Sequence, residues 1–140
     1  MAQTDTNTYG FALDVAQAGQ KVDAATDFIE SFAAEGNVPF GYGVVAGTAD
    51  NQVAVAAADT DSFVGVSVFT HAVPQGIDLT AAEGEQYTTG AEYRDGDAVN
   101  VARKGRVYVE ETANVTAGQD AYSTVTTTAQ DGQFTPVSTD

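Results

Sequence analysis

The sequence predicts an all-β chain folded as a sandwich or a small barrel, and three observations carry that prediction. Apolar residues alternate with small or polar ones at period two in several short runs. Glycine-polar turns separate these runs at fairly regular spacing. Glycine is frequent, at 14 of 140 residues against 3 prolines, a mixture that suits short strands and turns better than long helices.

Residues 1–8 are small and polar and read as a flexible N-terminal arm, with 9–140 as a single β domain. Tyr9, Phe11, Leu13 and Val15 alternate with Gly10, Ala12 and Asp14, which marks a first strand. Ala18, Gly19 and Gln20 form a turn signal. Residues 26–36 read two ways. Thr26 is a candidate cap for a helix with Phe28, Ile29 and Phe32 on one face and Gly36 as its stop. The run 28–32 also reads as a strand, and periodicity over so short a span does not decide between them.

From Val38 the β pattern is clear: Phe40, Tyr42 and Val44 alternate with Gly41 and Gly43. A turn at 47–51 precedes a short strand with Val53 and Val55 on one side. Residues 59–62 turn again, and 63–70, apolar on both faces, read as a central strand. Residues 72–90, with Pro74, Gly76, Gly84 and Gly90, read as a long connection of the kind that often faces a partner, with a short strand near 85–88. Asp95 and Gly96 turn the chain into Val99 and Val101. Lys104 and Gly105 then predict a hairpin whose second strand holds Val107 and Val109 and whose tip is basic. A Thr-rich strand over 121–128 and a closing strand over 133–137 complete the pattern. Gly19-Gln20, Gly96-Asp97 and Gly118-Gln119 recur as the same turn chemistry.

The formal net charge of −15 repels polyanions, which argues against nucleic-acid binding through phosphate contacts. No apolar run is long enough to cross a bilayer, and the first residues lack the charge and apolar stretch of a signal peptide. With no cysteine, disulfides and thiolate metal sites are excluded. Charge is uneven. Of five basic residues, Arg94, Arg103, Lys104 and Arg106 fall within residues 92–106. That stretch also holds three carboxylates, so it carries +1 and leaves −16 on the rest. On an otherwise acidic molecule such a cluster is either a solvated hairpin tip or a contact surface for an acidic neighbour, another copy or a different protein.

Little in the chain points to catalysis. His71 is the only histidine. Ser62 and Ser67 are available nucleophiles, but no G-x-S-x-G elbow is present, and a lone His at a strand end reads as a surface or packing residue. One histidine cannot supply the cluster that a metal-dependent jelly-roll enzyme uses. The pairs Asp59/Asp61 and Asp95/Asp97 sit at turns, where Asp serves its own backbone. Neither has the spaced ligand loop or distal Glu of an EF-hand. No glycine pattern cradles phosphate. The expectation is a protein without catalytic site, cofactor or bound metal.

The order of motifs resembles that of the phage-head structural cement, or decoration, proteins. The residues that carry the resemblance are Ala18-Gly19-Gln20-Lys21-Val22-Asp23, Glu35-Gly36-Asn37-Val38-Pro39-Phe40-Gly41 running into Val44-Val45, and Phe63-Val64-Gly65-Val66. Then come Tyr93-Arg94-Asp95-Gly96-Asp97-Ala98-Val99, Lys104-Gly105-Arg106-Val107-Tyr108-Val109, Val115-Thr116-Ala117-Gly118-Gln119-Asp120-Ala121-Tyr122 and Gly132-Gln133-Phe134. Residues 72–90 and the strong acidity depart from it.

The resemblance implies a compact β-sandwich or jelly-roll-like fold and favours the strand reading of 26–36. It also implies self-association and a virion protein, made in the host cytoplasm, that docks on the outer surface of the major capsid protein lattice at capsomer seams. A homotrimer at three-fold seams is the favoured assembly, with a dimer at two-fold seams as its rival. Candidate contacts are the arm, the 72–90 segment, exposed strand edges and Arg94, Arg103, Lys104 and Arg106. The alternative is a glycan- or receptor-binding β-sandwich of a phage tail or fibre, for which Tyr87, Tyr93 and Tyr108 are the candidate aromatics.

Overall fold

The computed structural model describes residues 18–24, 26–70, 92–125 and 130–136. The expected arm, the first strand over 9–15, His71, Tyr87 and the 72–90 connection lie outside the described residues.

The chain is all-β, and of the architectures open to the sequence it takes the barrel. Among the described residues nine strands are formed: β1 (Phe28–Ala34), β2 (Val38–Pro39), β3 (Gly43–Ala46), β4 (Gln52–Val55), β5 (Phe63–Ser67), β6 (Glu92–Tyr93), β7 (Ala98–Lys104), β8 (Tyr122–Ser123) and β9 (Phe134–Thr135). Five of them close into a barrel in the order β1-β4-β3-β5-β7, with β7 returning to β1. Only β1 and β4 run parallel; the other barrel pairs are antiparallel. Two-stranded ribbons, β2-β6 and β8-β9, pack outside the ring.

The core follows from alternation. Val99 and Val101 of β7 point inward with Phe32 and Ala34 of β1, Val53 of β4 and Val44 of β3. Ser31 and Asn100, paired across the same two strands, are joined outside by a 3.0 Å side-chain hydrogen bond. Residues 28–34 are therefore strand, as the resemblance favoured. Thr26 has φ 59, whereas a helix N-cap takes a β-region backbone.

The expected strand from Val38 through Val45 is interrupted. Gly41, at φ +77, turns the chain between β2 and β3 and lies against Gly19, at φ +80. A Cβ on either would come within 3 Å of backbone on the facing segment. Two chain segments meet here because neither glycine carries a side chain. Phe40, just before the turn, stacks edge-on against Phe69 at 5.1 Å and Tyr93 at 5.0 Å. The three recurrent Gly-polar turns share one backbone conformation, with φ between +80 and +89.

The expected hairpin over 98–109 does not form. Both flanks of β7 are taken, by β1 and β5. After Gly105 the chain pairs instead with residues 19–22: Gly19 donates to Tyr108, Tyr108 to Gln20, and Val22 to Arg106. A turn signal specifies a reversal but not its partner, and here non-local pairing won. The 121–128 strand is shorter than expected, with β8 covering two residues and 126–129 outside the described set.

Tyr93 ties the outer ribbon to the ring. It is fully buried, and its hydroxyl donates to the Val68 carbonyl at 2.5 Å and accepts from the Asn100 N–H at 3.3 Å. Burial raises its pKa above the usual 10.0. Tyr93→Phe strands a buried carbonyl and leaves the Asn100 N–H without the hydroxyl, at a cost of about 1–3 kcal/mol. Urea unfolding of the two proteins tests this, and a difference below about 0.5 kcal/mol, the range of a neutral surface change, would contradict it.

Candidate interaction surface

The structure separates the four predicted basic residues. Arg94 lies in the turn that precedes β7, where its N–H donates to Asp97 Oδ2 at 2.8 Å. Arg103 and Lys104 end β7, and Arg106 follows just beyond. Seven strand residues lie between Arg94's turn and Gly105, about 20 Å at the usual rise per residue. Three cations are therefore grouped and the fourth stands apart at the other end of the strand.

Two of the three grouped cations are already engaged. Arg103 Nη1 pairs with Glu30 Oε2 at 2.7 Å across β1-β7, and Arg106 pairs with Asp23. Nearby, Lys21 pairs with Asp27, whose carboxyl is held below its usual range by that hydrogen bond. Such exposed pairs contribute little each, but they link the 18–27 segment and β1 around the end of β7. Lys104 has no carboxylate partner among the described residues.

Around Lys104 lies a surface that the sequence reading missed. Phe28, 52 % exposed, pairs directly with Lys104 across β1-β7. Phe63, 54 % exposed, begins β5 on the other flank. Phe63 and Val66 line two grooves. One, of about 310 Å³, runs along Val64, Arg103, Lys104, Gly105, Val107 and Val109. The other, of about 800 Å³, lies between Val45, residues 56–61 and the β8-β9 ribbon, with Asp59, Asp61 and the exposed Tyr122 on its walls. Gly43 lies against Ser123 and Phe63: a Cβ there would fall 2.7 Å from Ser123 Oγ and 3.0 Å from the Phe63 ring. The only hint in the sequence was the 59–62 turn immediately before Phe63, which places that residue at a strand end, where burial by neighbours is incomplete.

The other candidates for chemistry are absorbed by the fold. Ser67 is buried; its hydroxyl donates to Pro39 O at 2.6 Å and accepts from Tyr42 N–H at 3.1 Å, bracketing the turn between β2 and β3. Asp61 Oδ2 accepts from the N–H groups of Ala57 and Ala58, and Asp95 Oδ1 from Gly36 N–H. Asp61, Asp95 and Asp97 thus serve turns. Among the described residues no three His, Cys, Asp or Glu side chains gather as a metal-binding group. Of the three tyrosines considered for sugar stacking, Tyr93 is buried in the core and unavailable, which removes the central member of that set.

The arrangement is a closed barrel with a partly exposed apolar face charged at both margins. The family described as structural cement protein (E217 gp24/Pam3 gp6) matches residues 5–140. The chain belongs to that family, so its role is structural and its place is the phage capsid. Comparison with curated proteins and with solved structures gives no match.

The Glu35 carboxylate, just after β1, is bonded to Thr48. It accepts from the Thr48 hydroxyl at 2.7 Å and the Thr48 N–H at 2.6 Å. These bonds hold its pKa below the usual 4.5, against the opposing effects of desolvation and, less, of Asp95. A carboxyl lowered on folding stabilises above its unfolded pKa, and that contribution is lost as pH falls through the folded value. Wild type is therefore more stable than Glu35→Gln at neutral pH. The gap begins to close near pH 4.5 and narrows as the pH falls further. Thermal melts across that range that stay parallel would contradict the assignment.

Proposed function

We propose that the protein binds the outer face of the major capsid protein lattice at seams between capsomers and holds neighbouring subunits together, without catalysis, as one copy in a self-associated cement unit. The family match over residues 5–140 carries this reading. The barrel supports it. Closure gives each of the five ring strands a neighbour on both sides, which limits docking by strand addition and favours contact through side chains. The Phe28-Lys104-Phe63 surface supplies them: aromatic anchors beside a cation on a molecule of net charge −15. Residues 1–8 and 72–90 and the turn bearing Arg94 are proposed as further contacts with the shell.

The mechanism is additive. A packaged head pushes outward, and each bridge across a seam opposes separation of two subunits. Simultaneous engagement of several subunits raises the effective concentration of each contact, so modest individual affinities suffice.

The test is co-sedimentation of purified protein with heads stripped of decoration. Binding saturates at a fixed number of copies per shell. Replacing Arg103, Lys104 and Arg106 together with Ala weakens binding about tenfold and flattens its dependence on salt. Absence of saturable binding would overturn the cement reading, and an unchanged salt series would remove the basic residues from it.

A further inference from the structure

Outside the ring, one strand edge is unfinished. Among the described residues β8 has a single strand neighbour, β9, and Ser123 stands opposite Phe134 in that antiparallel pair. Phe134 bonds on its other side: its N–H donates to Glu110 O at 3.0 Å and its carbonyl accepts from Thr112 N–H at 2.8 Å. Opposed residues of an antiparallel pair exchange both bonds or neither. Ser123 therefore turns its N–H and C=O away from β9, to the open edge of β8, where no backbone group of the described residues meets them. Its Oγ is also buried without a hydrogen-bond partner. One residue thus holds three unmet polar groups, and it lines the groove of about 800 Å³.

The same groove is lined by the buried Val45, Ala56 and Phe134 and by the exposed Asp59 and Asp61. No Lys or Arg lines it, and neither aspartate has a cationic partner among the described residues. It is distinct from the Lys104 groove, with which it shares only Phe63 and Val66. An open strand edge calls for an extended backbone, apolar lining for apolar side chains on one face of it, and unpaired carboxylates for cations. We propose that β8 takes up an extended basic-apolar segment as an added strand, with its apolar side chains against Val45, Ala56 and Phe134 and its cations against Asp59 and Asp61. The long stems of Lys and Arg let a side chain on the outer face reach a carboxylate at the margin.

The donor of that segment is a different protein, because this chain has no such segment to give. Its five basic residues are Lys21, Arg94, Arg103, Lys104 and Arg106, and the residues outside the described set carry no Lys or Arg. Arg103 and Lys104 belong to β7, which is flanked on both sides by β1 and β5. Lys21 and Arg106 lie in the segments 19–22 and 106–108 that bond each other, and Arg94 sits in a turn. Neither the chain's own remaining residues nor a second copy therefore supplies a basic strand. The donor is a subunit of the shell, and for that identity alone the inference rests on the cement reading. Recognition of a basic-apolar strand by this groove is tested on the protein without heads.

The test is fluorescence anisotropy of labelled, end-blocked peptides titrated with the full chain. A peptide of alternating valine and lysine binds saturably. Replacing its lysines with glutamate, or its valines with serine, weakens binding at least about tenfold. Strand addition has a further signature. An extended peptide turns alternate N–H groups towards β8, so N-methylation of one alternate set abolishes binding while methylation of the other leaves it within about twofold. Asp59→Lys weakens binding of the valine-lysine peptide about tenfold and weakens binding to stripped heads with it. Asp59 is the anion to change, since Asp61 holds the turn, and the variant keeps the circular dichroism spectrum of the wild type. No saturable binding of the valine-lysine peptide would overturn the proposal, as would equal affinity for the valine-glutamate peptide or indifference to both sets of N-methyl groups. Head binding unchanged by Asp59→Lys would remove the shell as the donor. Failure of the wild type on heads, with peptide recognition intact, would instead fault the cement reading and leave strand addition standing.

Discussion

The pairing of β1 with β7 is the constraint on which the rest of the structure depends. Without it, β1-β4-β3-β5-β7 would be an open sheet with unpaired backbone groups along its two outer strands, β1 and β7. With it, the ring closes, and Phe32, Ala34, Val99 and Val101 face the same interior as Val44 and Val53. The partners lie far apart in the chain: Ser31 bonds Asn100 across a separation of 69 residues. Closing so long a loop is entropically costly and is repaid only when the whole register forms. The closure therefore belongs with the cooperative core rather than with any local hairpin.

Closure also builds the surface. Register alone sets Phe28 against Lys104, and the neighbouring β5 brings Phe63 to the groove that Lys104 lines. The ion pairs Arg103-Glu30, Arg106-Asp23 and Lys21-Asp27 fasten the segments that meet there. Each is weak, but together they take three of the five cations out of play for a partner. What is left on this face is one lysine, a ridge of aromatic and aliphatic side chains, and two aspartates. In the proposed docking so few charges suffice to orient a partner, with electrostatics selecting direction and apolar burial supplying affinity.

Much of this was legible in the sequence, and the failures have identifiable causes. Period-two alternation found β3, β4, β5 and β7, because one face of each packs inward. Asp and Gly marked the turns at 59–62 and 95–96, because both residue types serve backbone geometry there. Residues 28–32 were ambiguous because Phe28, Ile29 and Phe32 satisfy a helical and an extended spacing at once. The hairpin after Lys104 failed because Gly105 signals a turn without naming the strand that follows. The basic cluster is contiguous in sequence, yet an extended strand carries Arg94 away from Arg103. Phe63 looked like core because burial at a strand end depends on neighbours that no local pattern reveals.

The claim that barrel closure organises the molecule is tested most directly by native-state hydrogen exchange. The account predicts that amides of β1 and β7 which bond across the seam are among the slowest to exchange. They should open together with those of β3 and β5, at the free energy of global unfolding. If β1 amides instead exchange early and independently, like those of a frayed edge, the ring is not the cooperative unit. The face assembled on it would then have no rigid support.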